Sequence, residues 1–368
     1  MITPSRLRLA RSRRGLSLTK LAASTGISTR SLSAYESGDV TPSALALATL
    51  AEHLEVAEDF FFKEDVEMIG ADGVSFRKLS KTTAGQRDAA LAGATMTLEL
   101  ADWLEQKYLL PSPSIDGFVG HDPETTAEMV RAAWLLGDRP IPNLLHLVEA
   151  HGVRVFTVTA DTREIDAFSF WRNGVPFIFL STTKSAERQR FDLAHELGHL
   201  ILHGDFAVSP QGREREAEAN TFAAAFLVPA DGVLSQGMRG ASIARILKCR
   251  SHWKVSAMAL ANRLHQVKLL TDWQYRSTCI ELAQMGYRTS EPGSDLVPET
   301  SQVLRKVFFG SRMAGVTREV LDDLKISRRE LQSHIEGLVP FSVADTAPTK
   351  AKMMRPFDIL AENSPDAS

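Results

Sequence analysis

Hydrophobic positions near the N-terminus recur in short bursts. Leu7, Leu9, Leu16, Leu21, Ala22, Ile27, Leu32, Tyr35, Leu45, Leu47, Leu50 and Leu54 are interrupted by Gly15, Gly26, Gly38 and Pro42, which predicts a small domain of several short helices. Residues 19–24, a turn at Thr25-Gly26-Ile27 and residues 28–37 read as the two helices of a helix-turn-helix, with Ser28 capping the second. Helical periodicity returns in Leu98, Leu100, Trp103 and Leu104, as core or dimer contact, breaks at Pro111-Ser112-Pro113, and resumes over 124–150. The pattern then changes. Residues 153–159, 166–171 and 175–181 are rich in β-branched and aromatic side chains, with Asn173-Gly174 between the last two. They predict a small antiparallel sheet with a hairpin, whose edge could hold a peptide in extended form. An apolar helix follows, capped by Ser185 and ended by Gly204; an alanine-rich helix from 213 stops at Pro229. Ile243, Ile246, Leu247, Trp253, Val255, Met258, Leu260, Ala261 and Leu264 outline another helical core, and amphipathic segments fill 297–339. After Pro340 the composition becomes that of a loosely ordered tail. The expected fold class is mainly α with a small antiparallel sheet, α+β. Its expected parts are a helical head at 1–63, a helical connection at 64–150, the sheet and its helices at 151–230, a helical C-terminal region at 231–345, and the tail at 346–368.

The candidate chemistry lies in His195-Glu196-Leu197-Gly198-His199. Residues four apart share a helix face, so His195 and His199 can present two imidazoles to one metal ion, with the Glu196 carboxylate beside them to accept a proton from metal-bound water. A buried helix with two satisfied histidines would carry the same string. The flanking Leu193, Ala194, Leu197, Leu200, Ile201 and Leu202 favour the metal, because a core penalises unpartnered imidazoles. Catalytic zinc usually takes three protein ligands. His203 continues the spacing but stands roughly 12 Å along the axis from His195, too far for one ion. Glu214, Glu216 and Glu218 on the next helix are the alternatives, and spacing does not choose among them.

Arg190-Phe191-Asp192-Leu193-Ala194 before the histidine motif, a Glu-x-x-Ala-Asn-x-Phe-Ala segment from Glu216, and Leu227-Val228-Pro229 resemble the ImmA/IrrE-type metallopeptidases. The likeness extends to Ala167-Phe168-Ser169-Phe170-Trp171 and Pro176-Phe177-Ile178-Phe179-Leu180. The resemblance implies a zincin-like domain in which His195, His199 and Glu216 hold Zn2+, Glu196 is the general base, and the substrate is a partner protein, a repressor in well-studied members.

At the head, Tyr35-Glu36-Ser37-Gly38 followed by Pro42-Ser43 resembles the lambda-repressor-like regulators of the XRE class. The chain departs from them in carrying Leu18 and Thr19 where related regulators often have Gln, which removes one usual backbone contact. Through residue 43, seven basic residues (Arg6, Arg8, Arg11, Arg13, Arg14, Lys20 and Arg30) face only Glu36 and Asp39. The whole chain has a formal charge of -3, so this basicity is local and suits phosphate contact. With Leu32 and Tyr35 turned inward, Thr29, Arg30 and Ser33 lie on the exposed side of the second helix, and Arg30 is the best candidate to read a guanine edge. A helical protein-interaction module with a basic face is the plainer alternative.

Head and hydrolase together resemble a fused branch of the family, and Val74-Ser75-Phe76-Arg77-Lys78-Leu79 fits an element recurrent in that branch. Composition adds limits. A chain of 368 residues with 44% hydrophobic content can bury at least two cores. It has no apolar run near 20 residues and no signal-peptide pattern, so a soluble, cytoplasmic protein without membrane contact is expected; the family resemblance implies a bacterial or phage-derived one. Cys249 and Cys279 are too isolated for a disulfide framework and read as core thiols. The reading is a double-stranded-DNA-binding regulator that cleaves a partner protein, homodimeric if its operator is symmetric. Its rival is a regulator whose zinc site is structural or ligand-sensing, without turnover.

Overall fold

A computed structural model describes residues 1–70, 75–76, 83–115, 117, 121–159, 165–204, 212–310 and 315–340, with backbone only at 75–76. The tail and most of the Val74–Leu79 element lie outside the described residues. The head comprises α1 (Pro4–Arg13), α2 (Leu18–Thr25), α3 (Thr29–Ser37) and α4 (Ala44–Leu54), followed by a 3-10 turn at Glu58–Phe62. Serines start three of these helices. Ser17, Ser28 and Ser43 each accept a hydrogen bond from the backbone N–H three residues on, while Gly26 and Gly38 close α2 and α3 in left-handed conformation. Leu7, Leu9, Leu21, Leu32, Leu50 and Leu54 form the buried interior of this bundle, as the sequence pattern requires.

A 24-residue helix, α5 (Ala84–Lys107), follows and is capped by the reciprocal Thr83–Gln86 pair. It is buried almost continuously from Ala89 to Leu104, so Leu98, Leu100, Trp103 and Leu104 are core, while Glu105, Gln106 and Lys107 are exposed. Next come α6 (Pro123–Ala133), α7 (Leu144–Ala150), β2 (Arg154–Thr157), β3 (Ala167–Arg172), β4 (Val175–Leu180), α8 (Ala186–His203) and α9 (Arg213–Leu227), with the two-residue β1 (Ser75–Phe76) preceding α5. Four helices complete the middle of the chain: α10 (Ala230–Ser235), α11 (Ile243–Trp253), α12 (Ala257–Gln266) and α13 (Asp272–Gln284). Three more close the described chain: α14 (Gln302–Phe309), α15 (Val316–Leu324) and α16 (Arg328–Ile335). Among the described residues no helix is long and apolar enough to cross a membrane.

The sheet order is β1-β3-β4-β2. Asn173 and Gly174, both at positive φ, turn β3 into β4 as an antiparallel hairpin. The expectation of a wholly antiparallel sheet is corrected at β2, which runs parallel to β4 with Val155 opposite Ile178. Phe177-Ile178-Phe179-Leu180 and the whole of β2 are buried on both faces, and such runs, with no alternation of buried and exposed positions, do not mark the direction of pairing. Cys249 and Cys279 are free and only half-buried, not fully enclosed core thiols; Cys249 Sγ lies 3.5 Å from Met238 Sδ.

The C-terminal helices clamp the head to the rest. Arg13 of α1 donates to Glu330 of α16 at 2.6 Å, Arg14 lies 3.2 Å from the other Glu330 oxygen, and His334 bonds Thr97 of α5 at 2.8 Å. Arg13, Glu330 and His334 are 3%, 1% and 0% exposed, so this is an interior junction. Burial pushes His334 down to about 4, so it is neutral near pH 7. Burial alone would raise Glu330, but His334 where it carries a proton, together with the Arg13 and Arg14 guanidiniums, outweighs it and holds the carboxyl below its ordinary range. Just past α16, the Glu336 carbonyl accepts from Thr157 at 2.7 Å and from Thr182 at 3.0 Å, tying the clamp to the sheet. Replacing Glu330 by Ala strands a buried guanidinium and is expected to cost about 3–5 kcal/mol in chemical denaturation; a loss under about 1 kcal/mol, the range of an exposed pair, would show that the junction is not a buried ion pair.

Candidate metal centre and nucleic-acid interface

The site is built where α8 crosses α9. Ser185 starts α8 by accepting from Arg188 N, and Gly204 ends it. Contacts run in opposite directions along the two helices: His203 meets Glu218, and His195 meets Asn220. Their approach depends on Gly198. A Cβ there would lie 2.9 Å from Phe222 Cδ1 and 3.4 Å from Ala219 Cα, so only a residue without a side chain admits α9 so closely.

That approach brings Glu216 over the two histidines. The Nε2 atoms of His195 and His199 are 3.1 Å apart, and the Glu216 oxygens stand 3.4 and 3.3 Å from them. One atom from each of the three residues lies within 4.8 Å of the others. Glu214 is exposed, and Glu218 turns to His203 instead. A tetrahedral ion with bonds of about 2.0–2.1 Å separates its ligand atoms by roughly 3.3 Å, so the spacing fits zinc.

The histidine tautomers fit as well. His195 Nδ1 lies 3.1 Å from Asn220 Oδ1; with its proton there, Nε2 carries the lone pair. Glu218 accepts from His203 Nε2 at 2.8 Å, leaving His203 Nδ1 to accept from His199 Nδ1 at 3.0 Å, which again frees the His199 Nε2 lone pair. Two lone pairs and a carboxylate facing one point repel one another unless a cation lies between them. Burial lowers the pKa of His199, favouring the neutral form a ligand needs. Burial pushes Glu216 up, but hydrogen bonds from His195 and His199, where these carry protons, prevail and keep it ionised.

Glu196 is 1% exposed, and its Oε2 accepts from Ser169 of β3 at 2.7 Å. Ser169 was not among the sequence candidates; nor were Asn220, Glu218 and His203 in supporting positions. Their signals were available in the Ala-Asn pair after Glu216 and in the continued four-residue histidine spacing. The sheet edge beside Glu196 is not free: β1 pairs with β3, Ser75 opposite Ser169 and Phe76 opposite Phe168.

In the head, Thr29, Arg30 and Ser33 are exposed on α3, Ala34 is half-buried, and Leu32 is fully buried. The basic cluster divides. Arg6 pairs with Glu99 at 2.6 Å, Arg11 grips Glu36 at 2.5 and 2.8 Å, and Arg13 and Arg14 belong to the clamp. Lys20 and Arg30 remain exposed, as does most of Arg8, whose side chain is 56% accessible. Leu45 is 80% exposed near the start of α4.

Comparison with known families finds a helix-turn-helix at residues 7–61 and an IrrE N-terminal-like domain at residues 148–265. No curated protein matches the chain. If close helix approach sets the ligand geometry, Gly198→Ala should weaken zinc binding by about tenfold or more in chelator competition and destabilise the fold by about 1–3 kcal/mol; an unchanged affinity would mean that α9 is positioned by other contacts.

Proposed function

From a chain that joins an XRE-type helix-turn-helix to an IrrE/ImmA-like peptidase region, we propose a transcription regulator that hydrolyses a peptide bond in a partner protein, a repressor by the family likeness. The observation that supports this most is the convergence of His195, His199 and Glu216 beside the buried carboxylate of Glu196. His195, His199 and Glu216 would hold Zn2+, which when bound acts as a Lewis acid toward water and the substrate carbonyl. Glu196 takes the proton of the attacking water and returns it to the leaving amine. Ser169 fixes the orientation of that carboxylate, while Asn220 and the Glu218–His203 pair hold the two imidazoles in ligand tautomers.

Thr29, Arg30 and Ser33 are the proposed contacts to double-stranded operator DNA, with Arg8 and Lys20 near the phosphates. A palindromic operator would be met by a homodimer, in the cytoplasm of a bacterium. The rival, a structural or ligand-sensing zinc site without turnover, draws support from the β1–β3 pairing, which occupies the strand edge beside Glu196.

Elemental analysis of purified protein is expected to find about one zinc per chain, the single ion of a three-ligand site, and none in His195→Ala. Glu196→Gln should keep the metal and lose cleavage of the partner; full regulation by that variant would favour the rival. On a duplex enriched from a random-sequence pool, Arg30→Ala should reduce affinity by about tenfold or more, from the loss of a bidentate base contact. A variant that binds as tightly as the parent would remove Arg30 from base reading.

A further inference from the structure

The geometry points to a cavity of about 490 Å3 at the N-terminal end of α8 as the pocket for a bulky, uncharged side chain of the peptide substrate. The inference rests on the zinc-peptidase reading above and specifies which substrates that site would take. Phe191, Leu227, Val228 and Met258 supply its apolar walls, and Asn262 and Tyr275 its polar side.

Position ties the cavity to the metal centre. Phe191 lies one turn before His195, about 6 Å along the helix axis, and the two rings are 6.5 Å apart with planes at 30°. Because α8 and α9 run in opposite directions, the crossing that brings Glu216 to His199 continues toward Leu227, which lines the same cavity as Phe191. An extended peptide advances about 3.3 Å per residue, so a side chain one or two residues from the scissile bond reaches this space.

Charge defines the occupant. Lys184 on the wall is neutralised by Asp166 at 2.9 Å and by Asp192, and Arg263 by Glu124 at 2.8 Å. Glu187 accepts from Ser294, and the exposed Arg188 turns to the Arg288 carbonyl. Tyr275 donates to Asn262 at 3.3 Å. Beside Lys184 and Arg263 a carboxylate or ammonium would lose hydration and meet charges already paired, whereas Glu187 and Arg188 keep neutral partners. A phenylalanine- or leucine-sized group gains by burial against Phe191, Leu227, Val228 and Met258.

The test uses the full-length, zinc-loaded protein and three peptide hydroxamates that differ only in the side chain next to the chelating group: benzyl, methyl or carboxymethyl. Calorimetry should show the benzyl compound binding about tenfold or more tighter than the methyl, and the carboxymethyl no tighter than the methyl. Met258→Trp, which fills the cavity, should erase the benzyl preference while leaving zinc content, the folding control, unchanged. Equal affinity for benzyl and methyl compounds would overturn the pocket and leave the metal site standing, as would a benzyl preference that survives Met258→Trp. Failure of the protein to hold zinc or to bind any hydroxamate would overturn the peptidase reading and this inference with it.

Discussion

The whole site depends on how closely α9 can lie against α8, and Gly198 sets that distance. Two histidines four apart on one helix can face a common point, but a third ligand must come from outside the helix. A short carboxylate side chain reaches only if the backbones approach. The hydrogen at Gly198 in place of a methyl lets Phe222 and Ala219 settle against α8, and Glu216, Asn220 and Glu218 then reach His195, His199 and His203 from one helix. The convergence of the three side chains and the orientation of the two imidazoles therefore share one packing contact.

Much of this is legible in the chain because it is local. The His195–His199 spacing, the serine caps of α2, α3, α4 and α8, and the Asn173-Gly174 turn each express a rule that operates over a few residues. The choice of Glu216 over its neighbours was not local. It came from the family likeness, since the charges at 214, 216 and 218 look alike until a second helix is placed. The parallel pairing of β2 was missed for the same reason: strand neighbours are fixed by crossovers that apolar periodicity does not encode. Supporting roles for Ser169, Asn220 and His203 emerge only when β3, α8 and α9 are brought together.

The basic head shows how a correct count can mislead. Its excess of arginine looked like a single surface for phosphate, yet Arg6, Arg11, Arg13 and Arg14 are committed to Glu99, Glu36, Glu330 and Glu55. Arg13 and Glu330 are separated by 317 positions in sequence, so no window along the chain could pair them. The basic side chains left exposed are a smaller set, Arg8 on α1, Lys20 on α2 and Arg30 on α3. Arg6, Arg13 and Arg14 instead hold the head against α5 and α16, which Glu336 ties to the sheet that carries Ser169, while Arg11 braces α1 against α3 within the head.

The pairing of β1 with β3 changes what it means for a peptide to enter. Separating Ser75 and Phe76 from β3 would bare amide and carbonyl groups at Phe168 and Ser169, an open rung of the kind along which extended peptides add a strand. Toward any such peptide, β1 would act as a competitor for that rung carried by the same chain. Docking along β3 would be an exchange of one strand for another, and its apparent affinity would be the difference between two pairings.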